Sequence, residues 1–195
     1  MKFNISAFAE WLWNPNGRNT IDFIKAYAYR ENVDYDKYED MLYYRTFASW
    51  SLQRRNFVQC LNEETVDFKK LKKLSRPKQM ANDAQRASKY AQLLENPILI
   101  NETQATYSAI IAYDLTKKLL RLSSLKKPNR RKYLICREKL DEACKSVYTS
   151  LMGWAEHMKK ESGAYDTYIH ETAKAFLHLP AIFNKFESES IKASE

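Results

Sequence analysis

Glycine is scarce in this chain. Gly17, Gly153 and Gly163 are the three present among 195 residues, where average usage would supply about 7%. Tight hairpins with positive φ, Gly-rich phosphate loops and dinucleotide-binding turns all depend on glycine. The shortage therefore argues against β-sandwiches and nucleotide-binding α/β folds. No apolar stretch approaches the ~20 residues that span a bilayer, and the basic segments lack the matching apolar face of an interfacial helix, so no membrane association is expected. The opening Met1-Lys2-Phe3-Asn4, soon followed by Glu10 and Asn14, lacks the core of a signal peptide. Cysteine is limited to three, an odd number in a chain able to build its own core, which points to reduced thiols in a cytoplasmic protein.

Histidine is equally sparse, and its spacing excludes the common catalytic and metal motifs. His157, His170 and His178 all fall near the C-terminal end. His170-Glu171 is not followed by a second histidine at the spacing that the zinc-protease helix requires. Trp154, Thr167 and Ala175 stand three residues before the histidines, where a di-iron bundle would need glutamate. Cys136 and Cys144 share one helical stretch with no zinc spacing, and Cys60 is distant. Cys144 and His157 would be about 20 Å apart on a continuous helix, too far for a nucleophile and its base. Glu138 and Glu142, with Asp141 and Lys145, read as an ordinary salt-bridged helix face. No catalytic residue, metal or cofactor is expected, and an enzyme is the weaker reading.

What the chain does have is helical periodicity. Its 45% hydrophobic and 29% charged composition suffices for a packed core. One helical domain over residues 1–186 with a frayed polar tail over 187–195 is predicted. Ser6 can cap a short helix from Ala7 to Trp13, ended by Asn14-Pro15-Asn16-Gly17. Asn19 or Thr20 can cap a second, with Ile21, Ile24 and Ala28 on its apolar face and Phe23 and Tyr27 beside them. Asp34 and Asp36 open a third reaching about Leu61, apolar on two sides and therefore central. A lysine-rich helix starts at Thr65 and stops before Pro77. Met80, Ala84, Ala87, Ala91 and Leu94 then form a small-residue seam that permits close helix approach. Asn96-Pro97 reads as its break, and Thr103 as the start of a helix to about Ser124 with Tyr107, Ile111, Leu115 and Leu122 as its stripe. The longest helix spans about 129–160, with Tyr133, Cys136, Leu140, Cys144, Val147, Leu151, Trp154 and Met158 in register. A last helix runs from about Tyr165 to Leu179 and ends at Pro180. The expected fold class is all-α, a compact bundle of about seven helices.

Charge is concentrated in the middle of the chain. The net charge is +8, yet residues 1–64 carry −1, residues 65–139 carry +12 and residues 140–195 carry −3. One block holds Lys69, Lys70, Lys72, Lys73, Arg76 and Lys78, with Arg86 and Lys89 beyond it. Another, from Leu115 to Arg137, has no acidic residue and contains Lys117, Lys118, Arg121, Lys126, Lys127, Arg130, Arg131, Lys132 and Arg137. Cations at the end of the 103–124 helix face its negative pole and are favourable. Arg130, Arg131 and Lys132 are not: they crowd the positive pole of the long helix, each at a cost of about 0.3–1 kcal/mol at low salt. Backbone N–H groups ringed by guanidinium groups suit a phosphate. The structural alternative is that Glu102, Asp36 or Glu39 packs against this cluster and neutralises it.

These features lead to one principal expectation and one alternative. The first is a non-catalytic nucleic-acid-binding protein that holds a DNA or RNA phosphate backbone with a central basic belt, as a small subunit of a larger nucleoprotein complex. Sequence preference would be weak, since phosphate contacts carry little base information. The alternative is a protein-binding adaptor or inhibitor that docks its basic surface on an acidic partner. The tyrosine-rich 27–44 region, with Tyr27, Tyr29, Tyr35, Tyr38, Tyr43 and Tyr44, is read as core or as contact to other protein subunits.

Overall fold

The computed structural model describes residues 16–47, 78–123, 129–162 and 167–192, together with Ser6, Ala7, Ala9 and Leu12. The region from Thr65 to Pro77, with Lys69, Lys70, Lys72, Lys73 and Arg76, lies outside the described residues, as do Lys126, Lys127 and Cys60. Most of the stretch from Ala7 to Trp13 also lies outside them, as does the extension of the third helix beyond Phe47. The protein is an all-helical bundle, with six helices and no strand among the described residues. They are α1 (Thr20–Arg30), α2 (Tyr35–Phe47), α3 (Lys78–Leu93), α4 (Pro97–Ser123), α5 (Arg130–Ser162) and α6 (Thr167–Lys192).

Asn19 caps α1 by accepting the Asp22 amide at 2.9 Å. The buried face is Phe23, Tyr27 and Ala28, whereas Ile21 is 52% exposed. The aromatic residues thus take the centre of the core side, with Ile24 half-buried against them and only Ile21 turned outward, and Tyr27 stacks on Tyr38 of α2 with ring centroids 5.7 Å apart.

Two helix ends depart from the sequence expectation, and proline is the reason at both. α3 ends ahead of Asn96-Pro97 as expected, but the next helix does not wait for Thr103: Asn96-Pro97 itself starts α4. Asn96 Oδ1 accepts the Ile98 and Leu99 amides at 3.0 and 3.2 Å, and Pro97 occupies the first helical position, where no N–H is needed. Pro180 does not end the last helix but lies inside α6, which continues to Lys192. There proline removes one intrahelical bond, and the Arg137 guanidinium of α5 donates to the Pro180 carbonyl at 2.7 Å, tying the two helices together at that position.

Two apolar clusters share α3. The larger joins α4, α5 and α6 around Tyr113, Ile110, Leu119, Leu140, Val147, Phe176 and Phe183, all at or below 1% exposure. The smaller joins α1 and α2 around Phe23, Tyr27, Ala28, Tyr38 and Met41. The small-residue seam of α3 lies between them, with Ala84 in the first cluster and Ala91 in the second. Along α4 the buried set is Thr103, Ala105, Ser108, Ala109, Ile110, Ala112, Tyr113, Thr116, Leu119 and Leu120. The expected stripe of Tyr107, Ile111, Leu115 and Leu122 flanks it, half-buried. Small residues take the centre because α4 is pressed closely between α3 and α5.

Candidate nucleic-acid interface

The α4–α5 hairpin determines which cations meet. Asn101 of α4 lies against Gly153 of α5, and Ser108 hydrogen-bonds Ser146 at 2.7 Å. The step from Asn101 to Ser108 is therefore taken backwards along α5, so the two helices are antiparallel. Extending that register sets Arg121 across from Tyr133. The carboxyl end of α4, with Lys117, Lys118 and Arg121, thus lies beside the amino end of α5, with Arg130, Arg131 and Lys132. α3 is antiparallel to α4 in turn, tied by the Ser88–Gln104 bond, so its first residue, Lys78, stands alongside the carboxyl half of α4.

The amino end of α5 is capped and cationic. Asn129 Oδ1 accepts the Lys132 amide at 2.9 Å, and the Asn129 carbonyl accepts the Tyr133 amide at 3.0 Å. The first turn holds no acidic residue. Arg130, Arg131 and Lys132 are all exposed, and among the described residues none has a carboxylate within ion-pairing distance. Lys118 and Arg121 are exposed as well. Lys117 is half-buried, with its ammonium 6.0 Å from the centre of the Tyr113 ring.

Two of the carboxylates considered as neutralising partners are engaged elsewhere, and the third sits at another helix's amino end. Glu102 pairs with Arg45 of α2. The Glu39 carboxylate accepts the Tyr35 hydroxyl and pushes that phenol up to about 12. Asp36 lies in the first turn of α2, where a negative charge suits the helix dipole.

Two cations counted in the basic segments are not part of this end. Arg137 is 8% exposed, pairs with Asp141 and donates to Pro180, so it is a core strut. Arg86 lies 5.1 Å from the centre of the Tyr44 ring and donates to its hydroxyl at 3.3 Å, on the α2–α3 side of the molecule. Burial and ring contact cannot be read from charge counts, which is why the sequence grouped them with the others.

The tyrosine-rich region divides. Tyr27 and Tyr38 are buried, and burial holds the Tyr38 phenol well above its ordinary range. Tyr44 stacks on Tyr90 at 5.9 Å, and the Asp40 carboxylate accepts the Tyr90 hydroxyl and raises that phenol too. Tyr29 and Tyr43 are exposed, at 91% and 57%.

Among the described residues no cluster of three or more His, Cys, Asp or Glu side chains is placed to hold a metal. His157 and His170 are half-buried and His178 is exposed. No described helix is long and apolar enough to cross a membrane. The chain matches no known family, no curated protein and no solved structure.

One feature beside the cations was not singled out from the sequence. Leu134 and Ile135, one turn further along α5, are 46% and 43% exposed. Helical periodicity places neither on the Cys136–Leu140–Cys144 core stripe, and that was the signal available.

Proposed function

We propose that the protein binds nucleic acid without catalysis, holding phosphates at the end of the bundle where α4 and α5 meet. The observation that carries this reading is the cluster Arg130, Arg131 and Lys132, exposed at the positive pole of α5, without an acidic residue in the first turn and without a carboxylate partner among the described residues. A helix selected for stability alone would place Asp or Glu there. Lys118 and Arg121, brought alongside by the hairpin, extend the cationic area, and Lys69, Lys70, Lys72, Lys73, Arg76, Lys78, Lys126 and Lys127 remain candidates to widen it. A small basic helical protein of this kind suits a subunit that lines a larger nucleoprotein complex.

The test is charge reversal. Arg130→Glu, Arg131→Glu and Lys132→Glu together should abolish binding to labelled DNA and RNA oligonucleotides, while the melting temperature holds or rises. If six to eight phosphates are neutralised, log K for duplex DNA should fall with log salt at a slope of about −5 to −7. Unaltered affinity in the triple variant overturns the reading.

A specific observation supports a second reading. Exposed Leu134 and Ile135 beside the cations suit a protein partner whose surface is acidic and partly apolar. Leu134→Ser with Ile135→Ser separates the two: it should leave oligonucleotide affinity intact if phosphates are the ligand, and weaken capture of an acidic protein if they are not.

A further inference from the structure

Three threonines of α4 turn their hydroxyls back on their own helix. Thr103 donates to the Leu99 carbonyl at 2.7 Å, Thr106 to the Glu102 carbonyl at 3.0 Å and Thr116 to the Ala112 carbonyl at 2.7 Å. Thr172 of α6 does not follow them. It is 3% exposed, and among the described residues its Oγ1 has no hydrogen-bond partner. Buried hydroxyls are seldom left so, because each forfeits its bond to water without replacement. Thr172 lines a cavity of about 40 Å³ between α4, α5 and α6, whose wall also includes Glu102, Thr106, Trp154, Val147 and Phe176.

Volume decides what such a site holds. An aromatic ligand such as benzene occupies an engineered cavity of about 150 Å³, whereas a single water needs about 10–15 Å³. A space of 40 Å³ is too small for an organic ring and large enough for water. The wall chemistry agrees. Wholly apolar cavities stay dry, while sites with two or more polar partners are hydrated, and here Thr172 and Glu102 both line the space together with aromatic and aliphatic side chains.

We infer that this cavity is an internal hydration site, holding one or two water molecules that donate to the Glu102 carboxylate and exchange a hydrogen bond with the Thr172 hydroxyl. Glu102 Oε1 is the acceptor of the Arg45 guanidinium from α2. The bound water therefore links α6, by way of Glu102, to the α1–α2 side of the molecule. This site is independent of the cationic end, and its success or failure leaves the nucleic-acid reading untouched.

The experiment uses isotopically labelled full-length protein and water-selective magnetisation transfer, with Thr172→Val as the variant that keeps the side-chain shape and removes the hydroxyl. Expected is transfer from long-lived water to the Thr172 amide and methyl in the natural protein, lost in T172V, together with a folding constant lowered roughly five- to tenfold. Thr172→Ser should retain the transfer. Absence of transfer in the natural protein overturns the inference. So does a T172V folding constant above that of the natural protein, which would mark the hydroxyl as an unsatisfied group in a dry cavity.

Discussion

Ser108 of α4 and Ser146 of α5 meet with their hydroxyl oxygens 2.7 Å apart, and the Gln104 amide nitrogen reaches both, at 3.1 and 3.3 Å. The Gln104 oxygen in turn accepts the Ser88 hydroxyl of α3 at 2.8 Å. One side chain thus links three helices through a seam that is otherwise alanine and aliphatic. A slip of one turn between any two of these helices would leave polar groups unpaired in that seam, so the network determines register where apolar contacts alone would tolerate several.

Gln104→Leu tests this. It removes the acceptor of Ser88, which is 5% exposed, and one donor to the serine pair. The loss should be about 1–3 kcal/mol in urea unfolding. Adding Ser88→Ala should recover part of it, since removing both partners avoids an orphaned group.

Gly153 makes the second interhelical contact that leaves no room. A Cβ built there would lie 2.9 Å from Asn101 Oδ1 and 3.0 Å from Nδ2. Alanine in a helix interior gains about 1 kcal/mol over glycine, but here it must first displace the Asn101 amide. Gly153→Ala is therefore expected to gain less than that in the natural sequence and to approach it when Asn101→Ala is also present. A coupling of more than about 0.5 kcal/mol in the double-mutant cycle is the expected result.

Arg137→Met removes the strut between α5 and α6. The Asp141 carboxylate it leaves is part-exposed and can rehydrate, so the loss should be about 2 kcal/mol, less than that for a fully buried pair. The local consequence is sharper: backbone amides of α6 around Pro180 should exchange with solvent faster than those of α4.

Cys136 and Cys144 are buried thiols, and burial pushes Cys144 up to about 12 from its ordinary 9.0. Neither should react with a thiol reagent at neutral pH until the protein unfolds. The same shift has a thermodynamic sign. A raised pKa means that the fold favours the protonated form, so this stability is complete below about pH 9 and is lost as pH climbs towards 12. Buried Tyr38 acts in the same direction. Urea midpoints should accordingly be flat near neutrality and fall in the alkaline range.

Much of the architecture was legible in the residues. The alanine seam of α3, the core stripe of α5 from Cys136 to Leu151 and the Asn19 cap each follow from spacing or from one local hydrogen bond, and the structure bears them out. The errors occur where two local rules compete. Asn-Pro is a breaker and also a helix start, and proline late in a helix can be a stop or an interruption within it. Of the candidate interface, the α5 amino end with Arg130, Arg131 and Lys132 was readable, because pole and charge are both local properties.

Tertiary structure alone decided the rest. That Arg121 lies beside the start of α5, that Arg137 is a buried strut, that Arg86 rests on Tyr44 and that Glu102 is committed to Arg45 all depend on residues far apart in the chain. Periodicity says which face of a helix is buried, but it is silent about which neighbour buries it. Backbone hydrogen bonds and helix poles act over a few residues and leave their mark in the sequence. Ion pairs and ring contacts act between surfaces that meet only once the helices have packed.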